Sequence, residues 1–346
     1  MRPFAIAGLQ LSLPGTGDNL PRMEKRLDYL MNLYPWVQLV VFSELAACGP
    51  SPRKAEPLPG PAERAFQAMA AKHRVWLVDG SLYELRGQEV FNTTSVIAPD
   101  GKVVGRYRKV FPFRPYEAET RPGDRFFVFD VPEVGRFGIS ICYDMWFPET
   151  SRALAAMGAE VILHPSMTTT IDRDVEVAMA RATAAQNQCY VIDINGAGDA
   201  GNGRSVFVGP AGDVLHESGT AEELVPMEID LDRVRRERET GLRGLGQPLK
   251  SFRDARVRFP LYEGSEEARE YLESLGPLLR PERGSRAGLG AGLRAERPAV
   301  QTVRPPPGAE STAGSQPEPQ PGSQSPPHSG PRPPPEHRRP EGEDVA

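Results

Sequence analysis

Cysteine is scarce in this 346-residue chain, and the three present, Cys48, Cys142 and Cys189, have neither the even count nor the density of a disulfide framework. A reducing compartment, the cytoplasm, is therefore expected. No apolar run approaches the roughly 20 residues that span a bilayer, so no membrane partner is expected. The opening MRPFAIAGLQLSLPG is too short and too interrupted for a signal peptide and reads as a first strand. Histidine is almost as rare. Only His73, His164 and His216 precede Pro281, far apart, and neither HExxH nor CxxC spacing occurs, which disfavours a metal site. The formal net charge is a modest -5 with Arg and Lys dispersed, which argues against a dedicated nucleic-acid surface. The folded part has no G-x-S-x-G elbow, which disfavours a serine hydrolase.

The 66 residues from Pro281 onward lack Phe, Trp, Tyr, Ile and Met altogether and hold 15 of the 36 prolines. Such a segment cannot bury enough apolar surface to offset its conformational entropy, so disorder is expected. From Arg283 it carries eight arginines against seven acids, neither a polybasic membrane tether nor an acidic arm. The expected organisation is a folded domain over 1–262, a helical extension over 263–282 and a disordered Pro/Gly-rich tail over 283–346.

The rest of the chain holds regular alternation. Phe4 to Leu11 is a short apolar strand, and Met23, Leu27, Leu30 and Tyr34 mark one face of a helix that Asp18 or Asn19 can cap. VQLVVFSEL from Val37 is a nearly continuous apolar strand that delivers Glu44 at its C-terminal end. A helix from Ala62 to His73 and a strand from Val75 to Tyr83 follow. Two hairpins, NTTSVIAPDGKVVGRYRK and SVFVGPAGDVLHES, interrupt the helix-strand alternation and require antiparallel pairing. The sheets must therefore be mixed. Glu266 to Leu275, with Ser265 as cap and Ala268, Leu272 and Leu275 on one face, reads as a terminal helix that docks on the body.

Cys142 ends the strand FGISIC and precedes a helix opening at Pro148-Glu149. A cysteine on a strand-to-helix elbow projects its sulfur into a cleft while the next backbone N-H groups point at a developing oxyanion. A lone cysteine is more often buried and inert, so its context must decide. His164, at the end of the following strand, is either the partner of a Cys-His dyad or a pocket-wall or hydrogen-bonded core histidine, and the second reading is favoured. Gly196 to Gly201 matches G-x-G-x-x-G, but a loop and a strand follow where a dinucleotide site needs a helix, so a close-packed loop is expected. Glu44, Lys109 and Cys142 remain: an acid to serve as base, a fixed cation and a thiol.

These three in this order, with FSELAACG, YRKVFPF, ICYDMWFPETSR and GNGRSVFVGPAGDVL around them, resemble the nitrilase or carbon-nitrogen hydrolase superfamily over Met1 to about Phe259. Ser43 is a departure, standing where the family commonly has proline. The resemblance implies an α-β-β-α sandwich with mixed sheets, assembled as a homodimer or higher even oligomer, with no metal or organic cofactor. It also implies a further acid between the lysine and a Pro-Gly pair, a place that Glu117 fits best, with Glu119 as competitor. By the same token Cys142 is the nucleophile and Glu44 the base, while Lys109 and the Tyr143 N-H hold the oxyanion of a small amide substrate. Asp144, Trp146, His164, Met167 and Asn195 lie near strand ends, and Tyr143, Trp146, His164 and Asn195 are the substrate-binding candidates. CYD after the nucleophile is similar to the amidase and carbamoylase branches, whereas nitrilases typically have Trp-Glu there. Arg114, Arg173 and Arg204, which could recognise the carboxylate of an N-carbamoyl substrate, are not placed by sequence. A simple carboxamide hydrolase is expected. The alternatives are an N-carbamoyl amidohydrolase and a binding protein on this fold with a Pro-rich recruitment tail.

Overall fold

The computed structural model describes residues 3–280. The tail expected to be disordered, 283–346, lies outside the described residues. Thirteen longer strands are numbered here in chain order: β1 (Pro3–Gln10), β2 (Leu39–Phe42), β3 (Trp76–Val78), β4 (Leu82–Arg86), β5 (Glu89–Ile97), β6 (Val103–Arg108), β7 (Phe127–Val131), β8 (Gly135–Ile139), β9 (Val161–Ser166), β10 (Tyr190–Asn195), β11 (Val206–Val208), β12 (Val214–Glu217) and β13 (Glu223–Asp230). The helices are α1 (Leu20–Leu33), α2 (Pro61–His73), α3 (Pro148–Ala156), α4 (Arg173–Asn187), α5 (Leu231–Thr240), α6 (Pro248–Arg253) and α7 (Glu266–Ser274).

One sheet runs β13-β1-β2-β3-β5-β4 with β6 on the free side of β5, and the other runs β12-β11-β10-β9-β8-β7. Each is parallel at its centre, β1-β2-β3 and β8-β9-β10, and antiparallel towards its edges. The mixed pairing required by the two hairpins is therefore present in both sheets.

Alternation along the strands makes the layers. In β2, Leu39 and Val41 point into the core between the sheets, where they join Phe4, Ile6, Phe137, Ile139, Leu163 and Ile192. Val40 and Phe42 point the other way, onto Met23, Leu27 and Leu30 of α1 and Phe66 and Met69 of α2. In the second sheet Ile162 and Val191 face Leu154 of α3 and Val177, Ala180 and Ala184 of α4. Both faces of the central strands are thus buried, which is why they read as unbroken apolar runs. The result is the α-β-β-α sandwich.

At Gly8 the two sheets pack directly against each other. A Cβ there would lie 2.2 Å from Ile194 Cδ1 and 3.0 Å from Phe207 Cζ. The G-x-G-x-x-G segment is a close-packed loop, as expected: Gly203 N donates to the Gly196 carbonyl, and Ala197–Gly198 pairs with Ser12–Leu13. Helix α7 forms with Ser265 Oγ accepting from Ala268 N, but Leu272 and Leu275 are 49% and 65% exposed. The apolar face expected to dock is therefore open in the monomer. Overpacking a closed core costs about 1–3 kcal/mol. Gly8→Val is expected to lose at least that much, measured as a lower denaturation midpoint at unchanged m-value; an unchanged midpoint would show that the sheets can part freely.

Candidate active site

The C-terminal ends of β2 and of the segment leading from β8 lie in neighbouring sheets and open on one cleft of about 500 Å³. Glu44 follows β2 by two residues, and its backbone N-H donates to the Ser166 carbonyl at the end of β9 (3.2 Å), which fixes one sheet to the other beside the site. Lys109 stands just past the end of β6, not on a strand, with its N-H on the Asn92 carbonyl of β5 (2.8 Å). Cys142 opens a single 3-10 turn, Cys142–Trp146, between β8 and α3. Its φ of 47° is a conformation that non-glycine residues seldom adopt, and such strain at a reactive residue persists only where the surroundings enforce it.

Asp144 supplies that enforcement. Its Oδ2 accepts from the Ile141 N-H (2.9 Å) and the Tyr107 hydroxyl (2.7 Å), and its Oδ1 accepts from the Phe111 N-H (2.9 Å). One buried carboxylate thus ties the cysteine turn to the strand and loop on either side of Lys109. Burial pushes its pKa up to about 6, against those three donors.

Four polar side chains converge at the cleft, three of which, Glu44, Lys109 and Glu117, line it. Lys109 Nζ donates to Glu44 Oε1 (2.9 Å) and Glu117 Oε2 (2.8 Å). Asn92 Nδ2 donates to Glu44 Oε1 (2.8 Å) and Glu117 Oε1 (3.3 Å), and the Phe113 N-H donates to Glu117 Oε2 (2.5 Å). Glu117, not the exposed Glu119, is therefore the acid that meets the lysine. Burial opposes the lysine's charge, but Glu44, Cys142 and Glu117 outweigh it and hold Lys109 well above its ordinary pKa. Burial raises Glu44 and the charge of Glu117 adds to it, only partly offset by Lys109. Glu117 is buried too, yet Lys109 and the Phe113 N-H bring its carboxyl below the ordinary value. Burial, then the charge of Glu44, pushes the Cys142 thiol well above its usual range, while the Cys142 thiol itself hydrogen-bonds to Glu44. The thiol rests protonated beside a carboxylate with raised proton affinity, the pairing that proton transfer needs.

The other candidates fall elsewhere. Met167 lines the cleft, but the side chains of Tyr143, Trp146, His164 and Asn195 are not among its lining residues. Asn195 is fully buried, and its side chain clasps the glycine loop through Thr168 N, Thr168 O and Gly203 O. His164 Nδ1 pairs with Ser140 Oγ at 2.7 Å, and burial drives its pKa down to about 3. It is the hydrogen-bonded core histidine that the sequence favours over a dyad. Trp146 Nε1 approaches Glu176 at 3.5 Å, and the Tyr143 ring packs on Phe113 and Phe147. Arg114 clamps the Glu117 and Thr120 carbonyls, Arg173 is buried against Asp193 and Glu176, and Arg204 pairs with Glu217 and Asp174. None of the three lines the cleft. Asn92 and Tyr83, whose hydroxyl bonds Glu117, belong to the cluster without having been singled out in the sequence. A buried Asn on a strand of Thr and Ser was the only available signal.

Among the described residues no helix is long and apolar enough to cross a membrane, and no three His, Cys, Asp or Glu side chains form a group that could hold a metal ion. The profile of the carbon-nitrogen hydrolase family matches residues 5–239. The chain belongs to that family and is an enzyme that hydrolyses carbon-nitrogen bonds. Among its relatives, the human omega-amidase NIT2 is 33% identical over 199 residues, covering 53% of this chain and 71% of that protein. Yeast Nit3, a member of branch 10 of the nitrilase superfamily, superimposes with a TM-score of 0.63 at 29% identity over 69% of this chain and 94% of that one. An amidase from Nesterenkonia, solved with its cysteine replaced by alanine and butyramide bound, gives a TM-score of 0.61 at 25% identity over 68% and 94% of the two chains.

His164 yields a prediction whose sign follows from its depressed folded pKa. The unfolded chain binds a proton near pH 6.5 and the native state only near pH 3, so stability is full above about 6.5 and lost as pH falls below it, by about 2 kcal/mol at pH 5. His164→Asn should therefore lose about 2 kcal/mol less than the parent between pH 7 and pH 5 in denaturant titrations. Equal losses would mean that the ring is charged in the native state.

Proposed function

We propose that this enzyme hydrolyses a small carboxamide to ammonia and a carboxylic acid through a thioester on Cys142. Glu44 takes the thiol proton, and the sulfur attacks the amide carbon. The oxyanion is held by Lys109 Nζ and by the Tyr143 N-H, which lies in the first turn of the 3-10 segment where backbone donors have no intrahelical acceptor. Glu44 then gives its proton to the departing nitrogen as the C-N bond breaks. Water, deprotonated again by Glu44, attacks the thioester, releases the acid and returns the proton to sulfur. Glu117 keeps Lys109 charged and aimed.

The observation that carries this reading is the buried cluster itself, in which one cation sits 2.9 and 2.8 Å from two carboxylates and one of these accepts from the Cys142 thiol. The relatives support the substrate class: two are named omega-amidases, and the Nesterenkonia amidase binds butyramide in one form and carries acrylamide added at its active-site cysteine in another. Arg114, Arg173 and Arg204, the three arginines considered for the carboxylate of an N-carbamoyl substrate, are each committed to other partners. The catalytic domain, 1–262, works in this reading as a cytoplasmic homodimer, and a monomer mass by light scattering at micromolar concentration would contradict the assembly.

Ammonia release from matched amide, N-carbamoyl and nitrile compounds tests the reaction, with the highest kcat/KM expected for the amide and a nitrile preference excluding it. Cys142→Ala should abolish turnover with the melting temperature kept. Glu44→Gln should lose about 10²- to 10⁴-fold in rate, the usual cost of a missing general base, while His164→Asn stays within about tenfold. The reverse order would make His164 the base.

A further inference from the structure

Asn92 touches three members of the cluster without lining the cleft itself. Its backbone carbonyl accepts from the Lys109 N-H (2.8 Å), and its side-chain nitrogen donates to Glu44 Oε1 (2.8 Å) and Glu117 Oε1 (3.3 Å). Chemistry fixes the orientation of the amide, because carboxylates can only accept. Asn92 Oδ1 is buried and has no hydrogen-bond partner among the described residues. A buried acceptor left unpaired destabilises a fold, so the two acids, and no need of its own, hold the amide this way round.

The neighbours on β5 show what is particular to this position. Thr93 Oγ1 donates to Glu84 and Ser95 Oγ to Glu63, each with the one hydrogen that a hydroxyl has. Those acids are paired with Arg108 and Arg106, and neither lines the cleft. Asn92 faces two acids at once, and its amide nitrogen supplies two hydrogens without adding charge. A second cation here would hold Glu44 ionised, whereas an amide holds it in place and leaves it able to take a proton.

Hydrogen-bond accounting then selects one oxygen. Glu44 Oε1 receives both Lys109 Nζ (2.9 Å) and Asn92 Nδ2, which fills its two lone pairs. Oε2 is the oxygen left for the thiol. We propose that Asn92 is a positioning residue for the reaction, which by holding Glu44 Oε1 confines proton transfer to Glu44 Oε2. The proton leaves Cys142 Sγ for Oε2 as the sulfur attacks, and passes from Oε2 to the departing nitrogen as the C-N bond breaks. Oε2 then takes a proton from the attacking water and returns it to sulfur as the thioester opens. This rests on the amidase reading above and assigns that reading's proton path to one atom.

The test uses the full chain with Asn92→Leu, close in size and without donors, and Asn92→Thr, which suits the strand and keeps one hydrogen. Two rates are followed against pH: hydrolysis of a small amide, and alkylation of Cys142 by iodoacetamide, located by peptide mapping. The charged and titratable groups around Glu44 are Lys109, Glu117 and Cys142, with Tyr83, Glu119 and Arg280 also lining the cleft, and both variants retain them all. A donor stabilises the charged form of the acid that accepts it, so its loss should move the acid limb of both profiles up by about one unit. In Asn92→Leu, kcat should fall about 10- to 100-fold, the cost of a misdirected base, while KM stays within about twofold because Asn92 does not line the cleft. Asn92→Thr should fall between Asn92→Leu and the parent. A limb that stays in place in whichever variant folds would make Asn92 merely structural and overturn the proposal, as would a kcat that holds while KM rises. If the parent releases no ammonia from any amide, the amidase reading fails, and the alkylation profile still decides the role of Asn92.

Discussion

One buried cation organises the site. Lys109 is 1% exposed, and taking an ammonium out of water costs several kcal/mol unless close partners repay it. Glu44 and Glu117 are those partners, and they arrive from separate parts of the chain, the end of β2 and the loop after β6. Two carboxylates around one cation leave a negative charge over. Glu117 retains its charge because Lys109 and, after it, the Phe113 N-H support it, and Glu44, 2% exposed, is left with the raised proton affinity. The same constraint that stabilises the lysine therefore gives the two acids opposite shifts, Glu117 lowered and Glu44 raised.

The sandwich exists to bring strand ends together. Parallel pairing at the centre of each sheet sends β2 and β9 out at the same side, and the Glu44 N-H to Ser166 carbonyl bond joins them there. Asp144 performs the corresponding service within the second layer, holding the cysteine turn against Tyr107 and Phe111. Asp144, which the sequence places only near a strand end, is thereby a brace. The buried polar contacts of Asp144, Asn195 and Asn92 are costly if left unpaired and so fix the segments they hold together.

Legibility followed the range of the physics. The layers were readable because period-two alternation and four-residue helix spacing are local consequences of backbone geometry, and β2 carries its two faces in four consecutive residues, Leu39–Phe42. The terminal helix was readable from Ser265 and its spacing, but the expectation that it docks was not met at Leu272 and Leu275. Whether a face is covered depends on what lies opposite, which periodicity does not contain.

By itself the sequence determined the mixed sandwich, the ordered set Glu44, Lys109 and Cys142, and the resemblance that made Glu117 the favoured second acid. Each of these is written in residues close together or in a motif. Only the tertiary structure decided which polar residues near strand ends face the cleft, because a strand end fixes position while the neighbours fix direction. It turned His164 and Asn195 into the core, drew in Asn92 and Tyr83, committed Arg114, Arg173 and Arg204 elsewhere, and brought Arg280 to the mouth of the site. Most of those outcomes rest on contacts between residues far apart in the sequence, such as Asn92 with Glu44 and Arg280 with Tyr116, whose energies arise only once the chain has closed on itself.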